Sequence, residues 1–147
     1  MTPGGFVLHV LPALAYTVAV FVLGTAREAG AAASELITDK GVHILGFALL
    51  QALVLRAAVY LWPRGSRMVW LSIAGTLSML VGILLEIVQA FVPYRSAEWL
   101  DLAADAIGVS LASAVFWALI VRWRPVSSMW TGNNKPTQGN EVTSRAP

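Results

Sequence analysis

Ionisable side chains interrupt an apolar stretch of the chain from residue 86 onward. They are Glu86, Arg95, Glu98, Asp101 and Asp105. On a helix, Glu86 and Gln89 lie three residues apart and share a face. Asp101 and Asp105, four residues apart, share a face as well. A helical hairpin closed at Pro93 would bring acids, an amide and a guanidinium together. Such groups are costly inside a membrane unless they are paired or hydrated, so the pattern predicts a functional site.

Two side chains of this kind suit proton transfer, His43 and Glu86. His43 follows Asp39 by one helical turn, which offers the imidazole a hydrogen-bond partner. Both residues have a structural interpretation beside the catalytic one. His43 would be a hydrogen-bonded packing residue, and Glu86 would form an ion pair with Arg95 or Lys40 that fixes the register of the helices. We favour the structural interpretation, with His43 and Glu86 as catalytic groups only if the protein is an enzyme.

Other polar residues suit ligand binding. The planar guanidinium of Arg95 makes bidentate contacts with phosphate or carboxylate. Gln89 would orient a polar group of a ligand or form a hydrogen bond between helices. Asp101 and Asp105 with Glu86 supply oxygen ligands, but the chain has no recognised metal-ligand spacing, so we expect no metal and no cofactor. The candidate ligand-binding residues are Asp39, Lys40, Gln89, Arg95, Asp101 and Asp105.

The composition places these residues in a membrane protein. The chain has 147 residues, of which 57% are hydrophobic and 12% charged, with a mean hydropathy of +0.69. A soluble domain of this size needs more polar surface. The absence of cysteine excludes disulfides, thiolate nucleophiles and cysteine-ligated zinc. The basic residues are scattered, which argues against a nucleic-acid partner.

The hydrophobic pattern predicts an all-α fold, a polytopic membrane protein with a bundle of four transmembrane helices. The predicted spans are about 6–23, 41–62, 68–92 and 100–121, within a membrane domain of residues 1–124. Pro12 is expected to kink the first span. We expect this span to stay in the protein as a membrane helix and not to be cleaved as a signal peptide, because no Lys or Arg precedes it. Residues 125–147 are rich in Ser, Thr, Asn, Gly and Pro, and predict a disordered cytoplasmic tail.

Small residues along the third span predict its packing face. They are Ser72, Gly75, Ser78 and Gly82. Small side chains allow a second helix to approach closely. The strip continues into Glu86 and Gln89, so we expect both to point into the bundle rather than at lipid.

The distribution of arginine predicts the orientation. Arg64 and Arg67 lie between spans two and three, and Arg122 and Arg124 follow span four. The positive-inside rule then places both termini in the cytoplasm. The candidate site residues therefore gather at the extracytoplasmic face of the membrane.

The order of these motifs resembles the VanZ-like family of small bacterial membrane proteins. The family pattern combines D-K-x-x-H, here at residues 39–43, with E-x-x-Q at 86–89 and P-x-R at 93–95. A fourth motif, D-x-x-x-N-x-x-G, fits residues 101–108 except that Asp105 replaces the usual Asn. The resemblance implies a multi-pass protein of the bacterial cytoplasmic membrane. It also implies importance for the matching residues. Besides the candidates above these are Pro93 and Gly108.

Two functional hypotheses of different classes follow. The first is a binding protein for an envelope lipid, a lipid-linked saccharide or a lipophilic glycopeptide, the last suggested by the family's link to teicoplanin resistance. The alternative is a membrane enzyme that acts on a lipid-linked envelope substrate by acid/base chemistry of His43 and Glu86. The chain has no evident nucleophile, which favours binding. A proton or cation pathway through Glu86 is a third hypothesis, weakened because we expect no second polar layer deeper in the spans.

Overall fold

The described part of the chain is entirely helical and forms a bundle. The structure is a computed structural model that describes residues 2–26, 39–95 and 97–122. Its helices are α1 (Pro3–His9), α2 (Leu11–Thr25), α3 (Asp39–Leu61), α4 (Arg67–Ala90) and α5 (Trp99–Arg122). The predicted tail at 125–147 and residues 27–38, between the first two spans, lie outside the described residues.

Helices α1 and α2 form one interrupted span. The helix is broken at Val10, whose backbone adopts φ −101° and ψ −45°. Pro12 is the second residue of α2 and has no N–H to donate to the preceding turn. The break therefore lies where the sequence predicts a kink.

Four segments of the described chain are long and apolar enough to cross a membrane. They are Pro3–Thr25, Lys40–Leu61, Arg67–Ala90 and Trp99–Ile120, with hydropathies between 1.8 and 2.2. Each has 22 to 24 residues, which suits a hydrocarbon core of about 30 Å. Large apolar side chains such as Leu45, Leu84 and Leu111 lie exposed on the outside of the bundle. An outside of this kind fits contact with lipid, and the prediction of a four-span helical membrane protein is confirmed.

The bundle is tightest where α5 crosses α3. Gly108 lies against the backbone of α3, so a Cβ atom here would collide with the carbonyl oxygen of Ile44 and lie 2.9 Å from the backbone nitrogen of Ala48. Glycine is therefore required for this approach. Directly beside the crossing, the side chains of Phe47 and Val109 join the buried core.

The predicted packing strip of α4 is only partly correct. Ser78 and Gly82 are buried, but Ser72 is exposed and Gly75 has no neighbouring atom within 4 Å of a Cβ position. Steps of three residues fall short of the helical period of 3.6, so the strip drifts around the helix. The buried face instead follows steps close to that period. It comprises Ala74, Ser78, Gly82, Leu85 and Gln89.

Candidate functional site

Polar residues from three helices meet at one end of the bundle. They come from the start of α3, the last turns of α4, and the start of α5 with the residue before it. We call these six residues the polar cluster: Lys40, His43, Glu86, Glu98, Asp101 and Asp105. Only eight residues separate the end of α4 from the start of α5, and the two helices are in contact. The start of α3 is brought to the same end by the crossing of α3 and α5 at Gly108.

The centre of the cluster is a pair between α3 and α5. Nδ1 of His43 lies 2.8 Å from Oδ1 of Asp105. The side chain of Asp105 is 0% exposed and that of His43 is 10% exposed. An ionised carboxylate only accepts hydrogen bonds, so Nδ1 carries the proton when Asp105 is charged. The buried carboxylate thereby fixes the orientation of the imidazole ring.

His43 thus has a partner other than the one its spacing predicts. The spacing predicts Asp39, one turn earlier on the same helix. Asp39 is the first residue of α3, but its side chain lies outside the described part of the chain, so that pairing stays a prediction. Asp105 is 62 residues away along the chain, and a spacing rule within one helix does not find it.

Lys40 joins two acids at the outer edge of the cluster. Its Nζ lies 3.1 Å from Oε2 of Glu98 and 3.2 Å from Oδ1 of Asp101. The side chain of Asp101 is 5% exposed, whereas that of Glu98 is 46% exposed. Lys40 therefore links α3 to the start of α5. The expected pair between Lys40 and Glu86 is wrong, because the described ion pairs of Lys40 are those with Glu98 and Asp101.

Glu86 meets the cluster from α4. Its Oε2 accepts a hydrogen bond of 2.9 Å from the backbone N–H of Glu98. Its Oε1 is buried and has no hydrogen-bond partner among the described residues. The carboxylate points into the bundle, as the sequence predicts, but it holds the backbone that leads into α5 instead of an arginine or lysine. An imidazole nitrogen of His43 and carboxylate oxygens of Glu86 and Asp101 all lie within 4.8 Å of one another.

Gln89 and the loop fasten the same end of the bundle to α2. Gln89 is 3% exposed, and its Nε2 donates a hydrogen bond of 2.9 Å to the carbonyl oxygen of Gly24. The hydroxyl of Tyr94 donates to the carbonyl oxygen of Thr25 at 3.0 Å. These bonds support the interhelical interpretation of Gln89. Arg95 follows in the loop, is half-buried, and donates its backbone N–H to the carbonyl oxygen of Val92 at 3.0 Å.

Acids outnumber bases among the described side chains at this end. Carboxylates are contributed by Glu86, Glu98, Asp101 and Asp105, and permanent positive charges by Lys40 and Arg95. Buried charge of one sign is costly unless a cation, a proton or a hydrogen-bond donor offsets it. The cluster is therefore suited to bind a proton, a metal ion or a group rich in hydrogen-bond donors.

A second polar layer lies deeper in the bundle, against the expectation from the sequence. Gln51 is 0% exposed; its Nε2 donates to Oγ of Ser113 at 3.0 Å, and its Oε1 accepts from Oγ of Ser78 at 2.9 Å. The layer joins α3, α4 and α5 without any charge. The expectation rests on charged residues, and this layer contains none. The signal was present, since Gln51 is a lone amide in an apolar span and Ser78 lies in the predicted packing strip.

An apolar groove of about 330 Å³ runs along the seam between α3 and α5. Its walls include Ala48, Ala52, Leu111, Ala112 and Phe116. The small alanine side chains on both helices leave this space between them. The groove lies deeper in the bundle than the polar cluster. Ala112 follows Asp105 by seven residues on α5, which is about 10 Å along the helix axis.

Comparison with protein-family models, with curated proteins and with solved structures gives no match to this chain. The VanZ-like resemblance therefore stays a prediction that rests on the residues at 39–43, 86–95 and 101–108.

Proposed function

We propose that this four-span membrane protein binds an amphipathic envelope compound, a lipid-linked saccharide, through the polar cluster and the α3–α5 groove. One observation carries the proposal. Charged and polar side chains of three helices converge at one end of the bundle, and an apolar groove opens along two of the same helices. A ligand with a polar head and an apolar chain matches that pair of surfaces.

The head group follows from the charges. Ionised carboxylates accept hydrogen bonds, and sugar hydroxyls donate them, so a surplus of acids favours a saccharide over a purely anionic head group. Arg95 lies at the same end and offers the planar fork that suits a phosphate linkage. We assign the phosphate to Arg95, because a guanidinium contacts phosphate through two parallel hydrogen bonds, whereas the ammonium of Lys40 is a point charge.

The apolar part of the ligand would lie in the groove. Its walls are alkyl and aromatic side chains at membrane depth, where a hydrocarbon chain is the natural occupant. Asp105 and Ala112 are roughly 10 Å apart along α5. A lipid-linked compound would therefore place its head group at the cluster and its apolar chain in the groove.

The proposal includes an orientation. The arginines of the 63–67 loop and those after span four favour the cytoplasmic side under the positive-inside rule. The polar cluster lies at the other end of the bundle and would face the outside of the cell, where a bacterial envelope precursor is met.

Native mass spectrometry of the full chain released from its own membranes tests the proposal. We expect a saccharide-containing lipid to remain bound to the wild type and to be lost from Arg95→Ala. The matched control is Arg64→Ala, which removes an exposed guanidinium at the opposite end. Equal lipid occupancy in both variants would contradict the proposal. Co-purification of a plain phospholipid in place of a saccharide would also contradict it.

A second candidate, an enzyme, is favoured by the pair of His43 and Asp105. A buried carboxylate that fixes an imidazole is an arrangement used in general acid/base catalysis. In that case His43→Gln would lower turnover of the bound lipid by about 10²- to 10⁴-fold while occupancy persists. If the protein acts by binding, His43→Gln should change the mass spectrum of bound lipid little. No chemically altered lipid should then be found with either the wild type or the variant.

A further inference from the structure

We propose that His43, Glu86 and Asp101 form a binding site for one divalent first-row transition-metal ion, such as Zn²⁺ or Mn²⁺. The sequence predicts no metal here, because it has no recognised metal-ligand spacing and only one histidine near these acids. The inference does not depend on the proposed lipid ligand.

The first observation is the convergence of the three donors. A nitrogen of His43 and oxygens of Glu86 and Asp101 lie within 4.8 Å of one another. Ligand atoms around a zinc ion, each at about 2.0 to 2.2 Å from it, are separated by about 3 to 4 Å. Small side-chain rotations would therefore close the three donors around one ion.

The second observation is a pair of buried oxygens. Oε1 of Glu86 and Oδ2 of Asp105 are buried without a hydrogen-bond partner in the described part of the chain. The side chain of Asp105 is 0% exposed and belongs to the residue that pairs with His43. A buried carboxylate oxygen without a partner is costly, and a cation is the strongest compensation available to it. One of these two oxygens belongs to Glu86, which is also one of the three converging donors.

The pair of His43 and Asp105 supports the same site. Metal-binding imidazoles commonly donate their second N–H to a carboxylate, which fixes the ring and raises its basicity. Asp105 is a carboxylate in this position, with its Oδ1 2.8 Å from Nδ1 of His43. One imidazole with two carboxylates favours Zn²⁺ or Mn²⁺ over Ca²⁺ and Mg²⁺, which prefer oxygen ligands alone.

The charge of the cluster fits a divalent ion. Among the described side chains at this end, four carboxylates face two permanent cations, Lys40 and Arg95. Two positive charges would balance them. Lys40 contacts Oδ1 of Asp101, and an oxygen of the same carboxylate is among the three converging donors.

Isothermal titration of the purified, chelator-treated full chain in detergent with Zn²⁺ and Mn²⁺ tests the site. We expect one equivalent to bind the wild type and binding to weaken at least about tenfold in Glu86→Gln. Glu98→Gln is the matched control. It makes the same chemical change on a neighbouring acid that contacts Lys40 but lies outside the three donors.

X-ray absorption of the zinc-loaded wild type provides a test that needs no substituted protein, so the misfolding of a variant cannot affect its result. We expect one imidazole nitrogen with oxygen ligands around the ion. The inference is overturned if no stoichiometric ion binds, if Glu86→Gln and Glu98→Gln bind equally, or if the spectrum lacks an imidazole. Lipid occupancy in the Arg95→Ala experiment is measured separately, so either proposal can fail without the other.

Discussion

Oδ1 of Asp105 lies 2.8 Å from Nδ1 of His43, and this contact joins α5 to α3 at the polar end of the bundle. Asp105 has no exposed side-chain surface. The contact is therefore removed from water, and each residue fixes the position of the other. The polar cluster is built around this pair.

Replacement of Asp105 should separate the role of its hydrogen bond from that of its charge. Asp105→Asn retains the shape and an acceptor oxygen for His43, so the folded protein should stay close to wild type in stability. Asp105→Leu leaves a buried imidazole N–H without an acceptor and should lower the free energy of unfolding by about 1 to 3 kcal/mol. Thermal unfolding in detergent measures both. Equal losses in the two variants would show that the carboxylate charge itself holds the fold.

The crossing of α3 and α5 should be sensitive to one methyl group. In Gly108→Ala the new Cβ meets the backbone of Ile44 and Ala48, so the helices must separate, at a cost of about 1 to 3 kcal/mol. Gly75→Ala is the control because its Cβ position has no neighbour within 4 Å. Thermal midpoints should fall for Gly108→Ala and stay level or rise for Gly75→Ala. A similar fall of the thermal midpoint in both variants would show that the close contact at Gly108 is not what the added methyl group disturbs.

The deeper polar layer should contribute as a unit. Gln51→Ala removes one hydrogen bond to Ser78 and one to Ser113. Interhelical hydrogen bonds of this kind contribute about 0.6 to 2 kcal/mol in membranes. A double-mutant cycle of Gln51→Ala with Ser78→Ala, followed by thermal unfolding, should give effects that are less than additive. Simple additivity would mean that the two side chains act independently.

The spans could be predicted from the sequence because their cause is local. About 20 apolar residues suffice to cross a bilayer, and the described helices begin and end within about three residues of the predicted spans. The kink of the first span follows from Pro12 in the same way. The packing face of α4 is harder to predict, since Ser72 and Gly75 are small but the helical period turns them away from the neighbouring helices.

The members of the cluster could be predicted, but their partners could not. The positive-inside rule and the hairpin at Pro93 indicate which polar residues share one end of the bundle. The pairing of His43 with Asp105 depends on how closely α3 and α5 approach, and Gly108 sets that distance. The partners of Lys40 depend on the same packing, which no spacing within a helix encodes.

The orientation of the protein can be measured with single cysteines in the cysteine-free chain. We expect an impermeant thiol reagent added to whole cells to label Ala97→Cys, beside the cluster, and not Ser66→Cys in the basic loop. Both positions are exposed, so accessibility to the reagent is matched. Permeabilised cells provide the control in which both should react. Labelling of Ser66→Cys in intact cells would show that the protein has the opposite orientation.

The central claim is that the polar end of the bundle holds a defined envelope lipid. A photoreactive benzoylphenylalanine in place of Trp99 or Trp62 tests it most directly in native membranes. Both tryptophans are exposed, at 77% and 59%, and they lie at opposite ends of the bundle. We predict that the probe at 99 captures one saccharide-containing lipid and that Arg95→Ala abolishes this adduct, while the probe at 62 captures bulk phospholipids. The same mixture of bulk lipids at both positions, unchanged by Arg95→Ala, would contradict the claim.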